Sequence, residues 1–499
     1  MLDAFALLGD GIWQATAPEL LAATLIGVVI GLIVGALPGL GPTAGVAIML
    51  PVAVGFGGTA AIAALAGIYY GAMFGGAVTS ILLGIPGDAP SVMTVIDGHA
   101  LAKQGQAGRA LGMSVYASFL GGVIGLVLLV ALAAPVARAA LAFGPTEMTA
   151  LMCFALSFVT VLGGRNLMKG FTALFIGVWL GMIGLDPIVG PARYTFGFIE
   201  LFQGVDFPIV AVGLFGLSEM FLSLSRRVGA LAERPSLRSL LPNLPDLIKS
   251  WWVLLWSSVV GFFVGVLPGL GGTAATMLTY AMAKKSSRNP SEFGTGAIQG
   301  VAAPEAANNS ASYGSMIPLF TLGIPGSATT AVLFGGLLMI GLQPGPRLFV
   351  DNADFVWTIF GTFWIGNLML VVLTALLIPF LARIVFVSTA VLYPIVFALV
   401  IFGVYSINYS MGDVTIALIA GVVGYIMLKL DYAPVPLVLG LVLGPLVERG
   451  MRRTLILSEG DLSVFTERPI ALTFLLMTVA VIVVPLIVTR MRPVGPPSI

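Results

Sequence analysis

Apolar positions along this chain come in long unbroken runs, without the strict alternation of a half-buried strand. About 20 predominantly apolar residues suffice for a helix to cross the hydrocarbon core of a bilayer. Runs of this kind fall at 20–37, 60–83, 111–134, 146–162, 170–185, 207–223, 251–267, 355–381, 388–404, 414–428 and 470–489, with an interrupted one at 311–342. Less regular apolar segments at 38–55, 84–100, 268–283 and 433–446 are cut by Pro and Gly. The pattern predicts an all-α integral membrane protein with about ten to twelve transmembrane helices, plus broken or re-entrant pieces.

Composition agrees with lipid as the main solvent. Of 499 residues, 58% are hydrophobic and 9% charged, against about a quarter charged in soluble domains. The 63 Gly and 31 Pro suit close helix packing and helix breaks. A net charge of +1 without a long basic run argues against a nucleic-acid partner. The single cysteine, Cys153, excludes an intrachain disulfide or thiolate cluster, and the single histidine, His99, argues against a histidine-built metal site. No P-loop and no nucleophile–base set are present, so neither ATP hydrolysis by that route nor other enzyme chemistry is expected. No resident cofactor or metal is expected. Met1–Glu19 holds Asp3, Asp10 and Glu19 without Lys or Arg. It lacks the basic start of a signal peptide, so the first apolar run is expected to stay in the membrane.

Lys and Arg in short loops set orientation. Arg226, Arg227, Arg234, Arg238 and Lys249 mark 224–250 as a cytoplasmic linker. Arg165, Lys169, Lys103 and Arg109 then fall inside; the acidic N-terminus and the 186–206 loop, with Asp186, Glu200 and Asp206, fall outside. Lys284, Lys285 and Arg288 are inside if 251–283 turns back on itself. Arg449, Arg452 and Arg453 are inside only if 433–446 stops short of a full crossing.

The chain repeats itself. Gly31-Leu-Ile-Val-Gly-Ala-Leu-Pro-Gly-Leu-Gly-Pro-Thr-Ala44 matches Gly261-Phe-Phe-Val-Gly-Val-Leu-Pro-Gly-Leu-Gly-Gly-Thr-Ala274 at ten of fourteen positions. Leu83-Gly-Ile-Pro-Gly-Asp-Ala89 matches Leu322-Gly-Ile-Pro-Gly-Ser-Ala328 at six of seven, and the spacing between the two motifs is nine residues longer in the second half. This divides the chain into a repeat at 1–223, a linker at 224–250 and a repeat at 251–499. The charge count has the repeats enter from opposite sides, the inverted arrangement of many secondary transporters.

Paired breaks are the best sequence pointer to a transport site. Pro38, Gly39 and Gly41, and their partners Pro268, Gly269 and Gly271, cannot form regular helix. Freed N–H groups attract an anion and freed carbonyls a cation, with Thr43 and Thr273 adding hydroxyls. The alternative is a pair of packing kinks. Gly84, Pro86, Gly87 and Asp88 form a second break with counterpart Pro325, Gly326 and Ser327, read as hairpin tips or, alternatively, surface turns. Asn308, Asn309 and Ser310 offer amide and hydroxyl groups that suit a carboxylate or sodium, or else interhelical glue. Glu305 is a functional candidate if it lies within the membrane, or a helix-start carboxylate at the interface after Pro304. Asp97 with His99 reads as an interfacial loop pair or, less simply, a proton relay. Glu147, after Pro145, reads as a helix-start residue.

The two Gly-x-Leu-Pro-Gly-Leu-Gly segments, Pro304-Glu-Ala-Ala-Asn-Asn309 and both Gly-Ile-Pro-Gly segments resemble the large membrane subunit (TctA type) of the tripartite tricarboxylate transporter family, over nearly the whole chain. The resemblance implies citrate or other small carboxylates as substrate. It implies symport with sodium or protons, partnership with a small membrane subunit and a periplasmic solute-binding protein, and a place in a bacterial inner membrane. It places Pro38–Gly41, Pro268–Gly271, Asn308 and Asn309 at the centre of the site. A channel or a membrane-embedded enzyme is the alternative.

Overall fold

A computed structural model describes the chain except residues 1, 38, 163–165, 187–189, 224–242, 385–388 and 492–499. Pro38 and most of the 224–250 linker therefore lie outside the described residues. The described chain is helical apart from a two-residue ribbon, Gly184–Leu185 with Ala192–Arg193. Among the described residues, seven helices are long and apolar enough to span a bilayer, and seven shorter apolar helices accompany them. The protein is an all-α, multi-pass membrane protein.

The first half runs α1 (Leu2–Ala15), α2 (Pro18–Ala36), α3 (Gly41–Val54), α4 (Gly58–Leu83), α5 (Val92–Lys103), α6 (Ala107–Ala140), α7 (Pro145–Leu162) and α8 (Leu167–Gly181). It continues through α9 (Phe207–Ala211) and a π-helical turn (Val212–Leu217) into α10 (Ser218–Ser223). The second half runs α11 (Leu244–Val266), α12 (Gly271–Ser286), α13 (Ile298–Gly314), α14 (Met316–Leu322), α15 (Ala328–Met339), α16 (Leu348–Asp351) and α17 (Ala353–Ile384). It ends in α18 (Thr389–Asn408), α19 (Met411–Lys429), α20 (Pro434–Leu457), α21 (Val464–Glu467) and α22 (Pro469–Met491). α1 was not foreseen. Its acidic residues hid a short helix that packs along α17, where a Cβ on Gly11 would lie 2.2 Å from the Trp357 carbonyl oxygen.

Each half opens with the same packing device. A Cβ on Gly35 of α2 would lie 2.1 Å from the Ala72 carbonyl oxygen of α4, and one on Gly265 of α11 would lie 2.2 Å from that of Ala311 in α13. Backbones this close require glycine and gain dispersion contact along the helices. In lipid, where no hydrophobic force drives apolar helices together, that contact is the main attraction.

The chain forms two compact units: 1–140 with 206–429, and 141–205 with 430–499. Each unit draws on both halves. In the first, the π turn and α10 pack on α19; in the second, α20 packs on α7 and α8. A late helix of each half thus packs on elements of the other half. In the second unit α20 starts beside Leu430, whose carbonyl accepts from Lys169, and ends with Arg452 on Asp186. The 433–446 segment is therefore the front of a helix that runs the unit's full length, and Arg452 lies at the Asp186 end. There Asp186, Glu448, Arg193 and Arg452 form one ion-pair group. Glu147 starts α7, as its sequence position suggested, and pairs with Arg468 at 3.0 Å.

Candidate functional site

Within the first unit, the four breaks meet. α2 ends at Ala36, and the chain turns through Gly39 (φ 89°) and Gly41 (φ 46°) into α3. α11 does the same through Gly269 (φ 82°) and Gly271 (φ 56°) into α12. These left-handed angles are accessible to glycine at little cost. The second pair of breaks starts where α4 and α14 end in left-handed Gly84 and Gly323, both at φ 69°. Pro86 and Pro325 keep each helix from resuming at once, and α5 and α15 begin after them. Gly84–Asp88 and Gly323–Ser327 are half-buried to buried. They are not surface turns.

Contacts join the breaks into a ring. A Cβ on Gly41 would touch the Asp88 side chain at 3.6 Å, and one on Gly271 would touch Ser327 at 3.9 Å. Gly269 N donates to the Gly326 carbonyl at 3.0 Å. Thr43 and Thr329 hydroxyls are 2.8 Å apart, tying the first break of one half to the second break of the other. The reciprocal tie is Gly272 against Pro90, beside which Thr273 follows. Gly87 fits only as glycine, since a Cβ there would lie 2.6 Å from the Gly35 carbonyl oxygen.

Four helices, α3, α5, α12 and α15, start at this ring. Each start carries a partial positive charge of roughly half a unit. Ser327 caps α15 through a capping box with Thr330, and Asp88 accepts from Ser91 N at 2.9 Å at the α5 start. α3 and α12 follow Leu40 and Leu270 and have no side-chain cap. Their first N–H groups are left to whatever occupies the ring.

α13 brings polar side chains to the same place. Asn308 is 1% exposed, and neither its Oδ1 nor its Nδ2 has a partner within the protein. Its Oδ1 faces Gly272 at the start of α12, where a Cβ would sit 2.7 Å away. Asp88 Oδ2 and Asn309 Oδ1 are likewise buried and unpaired. An unsatisfied buried polar atom costs about 1–3 kcal/mol; Asn308 and Asp88 carry such atoms at the ring, while others, among them Ser250, Trp364 and Thr374, lie elsewhere.

Glu305 and Ser310 turn mainly toward α5 and α6. α13 begins at Ile298, so Pro304 lies inside it and Glu305 is buried within the helix. The interfacial helix-start reading of Glu305 is thus corrected. Its carboxylate accepts from Thr94 of α5 and from Ser118 of α6, the latter at 3.0 Å. Ser310 Oγ faces Gly125 of α6. Thr94 and Ser118 escaped the sequence reading because each is a lone hydroxyl in an apolar run, marked only by a partner about 200 positions away.

Asp97 and His99 form neither a loop pair nor a relay. Fully buried Asp97 takes N–H bonds from Gly294, Gly296 and Ala297 at 2.8–2.9 Å and a hydroxyl bond from Tyr280 at 2.8 Å. A carboxylate here stabilises the start of α13. His99 Nδ1 sits 3.0 Å from the Ile81 carbonyl oxygen. Among the described residues, no group of three or more His, Cys, Asp or Glu side chains is placed to hold a metal ion.

A family model described as "Tripartite tricarboxylate transporter TctA family" matches residues 21–439. The curated "Uncharacterized 52.8 kDa protein in TAR-I ttuC' 3'region" of Agrobacterium vitis is 37% identical over 487 residues, 98% of this chain and 97% of that protein. An "Uncharacterized protein in TAR-II ttuC' 3'region" of the same organism is 42% identical over 215 residues, 43% of this chain and 89% of that protein. No solved structure matches.

Proposed function

The chain belongs to the tripartite tricarboxylate transporter TctA family, and we propose that it is the large permease subunit of a secondary transporter for tricarboxylates or other small organic carboxylates. It works with a small membrane subunit and a periplasmic solute-binding protein in a bacterial inner membrane. A sodium or proton gradient drives uptake.

The observation that carries this reading is that two uncapped helix starts, α3 and α12, one from each half, belong to one ring of contacts, with unpaired Asn308 beside the start of α12. Backbone N–H groups and helix dipoles hold a carboxylate without a buried Lys or Arg. Asn308 Oδ1, Asp88 Oδ2 and the Thr43–Thr329 hydroxyl pair offer the oxygen donors a hard cation needs. Anion and cation then offset one another's charge in a low-dielectric site.

Inverted repeats give alternating access a simple geometry. Support comes from counterpart helices α4 and α13. Tyr70 stacks near Tyr313, whereas His99, under Gly84 at the end of α4, lies next to the Asp97 that binds the start of α13. The two helices therefore run antiparallel, as an in-plane two-fold would require.

The test is uptake of labelled carboxylates into vesicles holding the three subunits, under imposed sodium or proton gradients. Accumulation should follow one of the gradients and need the binding protein. Accumulation that needs ATP, or substrate-free ion conduction by the purified chain, defeats the proposal. For topology, a cysteine probe at Glu200 should label from outside intact cells and one at Arg234 should not; the opposite pattern overturns the inversion.

A further inference from the structure

Most of the nine-residue excess of the second half falls between α12 and α13, joined by residues 287–297, where α3 and α4 are joined by Gly55-Phe-Gly57 alone. The longer connection carries Ser287, Arg288, Asn289, Pro290 and Glu292, and follows Lys284 and Lys285 at the end of α12. It is pinned in place by the Asp97 bonds to its final N–H groups and by Gln104 donating to the Thr295 carbonyl at 2.7 Å. The duplicated scaffold does without this segment in the first half, so folding alone does not account for it.

The segment walls a cavity of about 1130 Å³ with the first turns of α11. Lys249, Lys285 and Arg288 line one part of it, and Trp252, Trp256 and Met282 another. Lys249 is neutralised by Glu292 at 3.0 Å, while Lys285 and Arg288 have no ion pair among the described residues. Trp252 is 62% exposed and Ile248 64%, a large apolar surface beside two free cations. The cavity exceeds the roughly 300–1,000 Å³ of most small-molecule pockets. Basic pockets between membrane helices on the cytoplasmic side suit acidic lipid headgroups, and tryptophans at the interface lie at headgroup depth.

We propose that this cavity binds an anionic phospholipid, its phosphate held by Lys285 and Arg288 and its acyl chains laid along Trp252, Trp256 and Met282. The site is separate from the ring of breaks. It ties lipid charge to the end of α12, the helix whose other end opens on that ring. Charge complementarity selects the ligand: a zwitterionic headgroup adds a cation next to two unpaired cations, whereas an acidic one removes net positive charge. A soluble phosphate meets the same two cations but leaves the aromatic wall wet.

The experiment is tryptophan quenching of the purified full chain in neutral detergent by brominated phosphatidylglycerol and by brominated phosphatidylcholine. The wild type should favour the acidic lipid, and Lys285→Gln with Arg288→Gln should lower that preference by about tenfold to thirtyfold, leaving the phosphatidylcholine response unchanged. Lys284→Gln, outside the cavity, should keep it. If the double variant does not fold, Trp252→Phe with Trp256→Phe serves instead and should lose the lipid-selective part of the quench. Equal response to both lipids, an unchanged preference in the charge variant, or displacement by excess inorganic phosphate each overturns the proposal, the last in favour of a soluble anion.

Discussion

Helices α4 and α13 occupy equivalent places in the two halves, yet only one of them carries amide chemistry. Ala72 and Ala311 play the same part, receiving Gly35 and Gly265 respectively. Three positions earlier stand Tyr69 and Asn308; two positions earlier stand Tyr70 and Asn309. Tyr69 bonds to Ser315 at 3.3 Å, and Tyr70 packs on Tyr313 and Phe363 with its own hydroxyl unpaired. The asparagines are left with unpaired atoms. At the second breaks the asymmetry reverses, with Asp88 in the first half and Ser327 in the second. Duplication copied the backbone device, the close glycine contact and the paired breaks. Charge and amide chemistry then diverged, so the ring is symmetric in shape and asymmetric in chemistry.

The shared device gives the largest expected effect. Gly35→Val and Gly265→Val should each remove most folded, monodisperse protein, because each side chain would meet a helix backbone that has no rotamer to yield. The cost expected is at least 1–3 kcal/mol at each site, read as thermal unfolding in detergent. Equal damage supports one scaffold used twice. If one variant melts like the wild type, the halves are not mechanically equivalent.

The divergent chemistry gives the next effect. Asn308→Ala should lower uptake at subsaturating substrate by about tenfold to a hundredfold, the worth of one or two buried polar contacts, with expression preserved. Tyr69→Phe, at the equivalent position, should change it less, since its hydroxyl makes only neutral bonds within the protein, to Ser315 and Ser327. Similar losses in both would mean that both halves supply ligand groups. Normal uptake in Asn308→Ala and Asn309→Ala alike would make the asparagines interhelical glue.

Apolar runs and paired Pro-Gly motifs revealed most of the helices and all four breaks, because lipid punishes unpaired backbone and leaves few ways to read a 20-residue apolar stretch. Local pattern failed where a partner lies far along the chain. The polar run 304–313 left Glu305 readable as a carboxylate within the membrane or as an interfacial helix start; it is helix buried on every side, its polar groups facing α5, α6 and α12. Asp97 looked interfacial because the N–H groups it binds are about 200 positions away. The packing of α20 and of the π turn on the opposite half left no local trace, since the front of α20 and the π turn are apolar and glycine-bearing whichever neighbour they meet. In the ring, the glycines were legible from their conformational demands, whereas the Thr43–Thr329 tie needed the fold.

The smallest effect concerns the connection found in one half alone. Glu292 there is half-exposed and paired with Lys249, and its carboxyl is held below the ordinary glutamate range first by the Lys249 hydrogen bond, then by the Asn289 hydrogen bond, then by the Lys249 charge. A carboxylate with a lowered folded-state value stabilises the fold above its unfolded value, near pH 4.3 for glutamate, and loses that contribution as pH falls through the folded value. The Lys249→Ala variant should therefore differ from the wild type near neutral pH at low salt, and converge with it in strong acid. Solvent and counterions screen an exposed pair within about 10 Å at 0.1 M salt, and such pairs contribute little. The difference in melting temperature should thus be barely resolvable at low salt and vanish in high salt. Persistence of a clear difference in high salt would show that Lys249 acts in some other way, such as through its aliphatic stem, which lines the cavity with Trp252 and is lost in the alanine variant. Glu292→Gln separates the two cases: it removes the charge pair and keeps the Lys249 stem, so it should reproduce Lys249→Ala only if the ion pair is what matters.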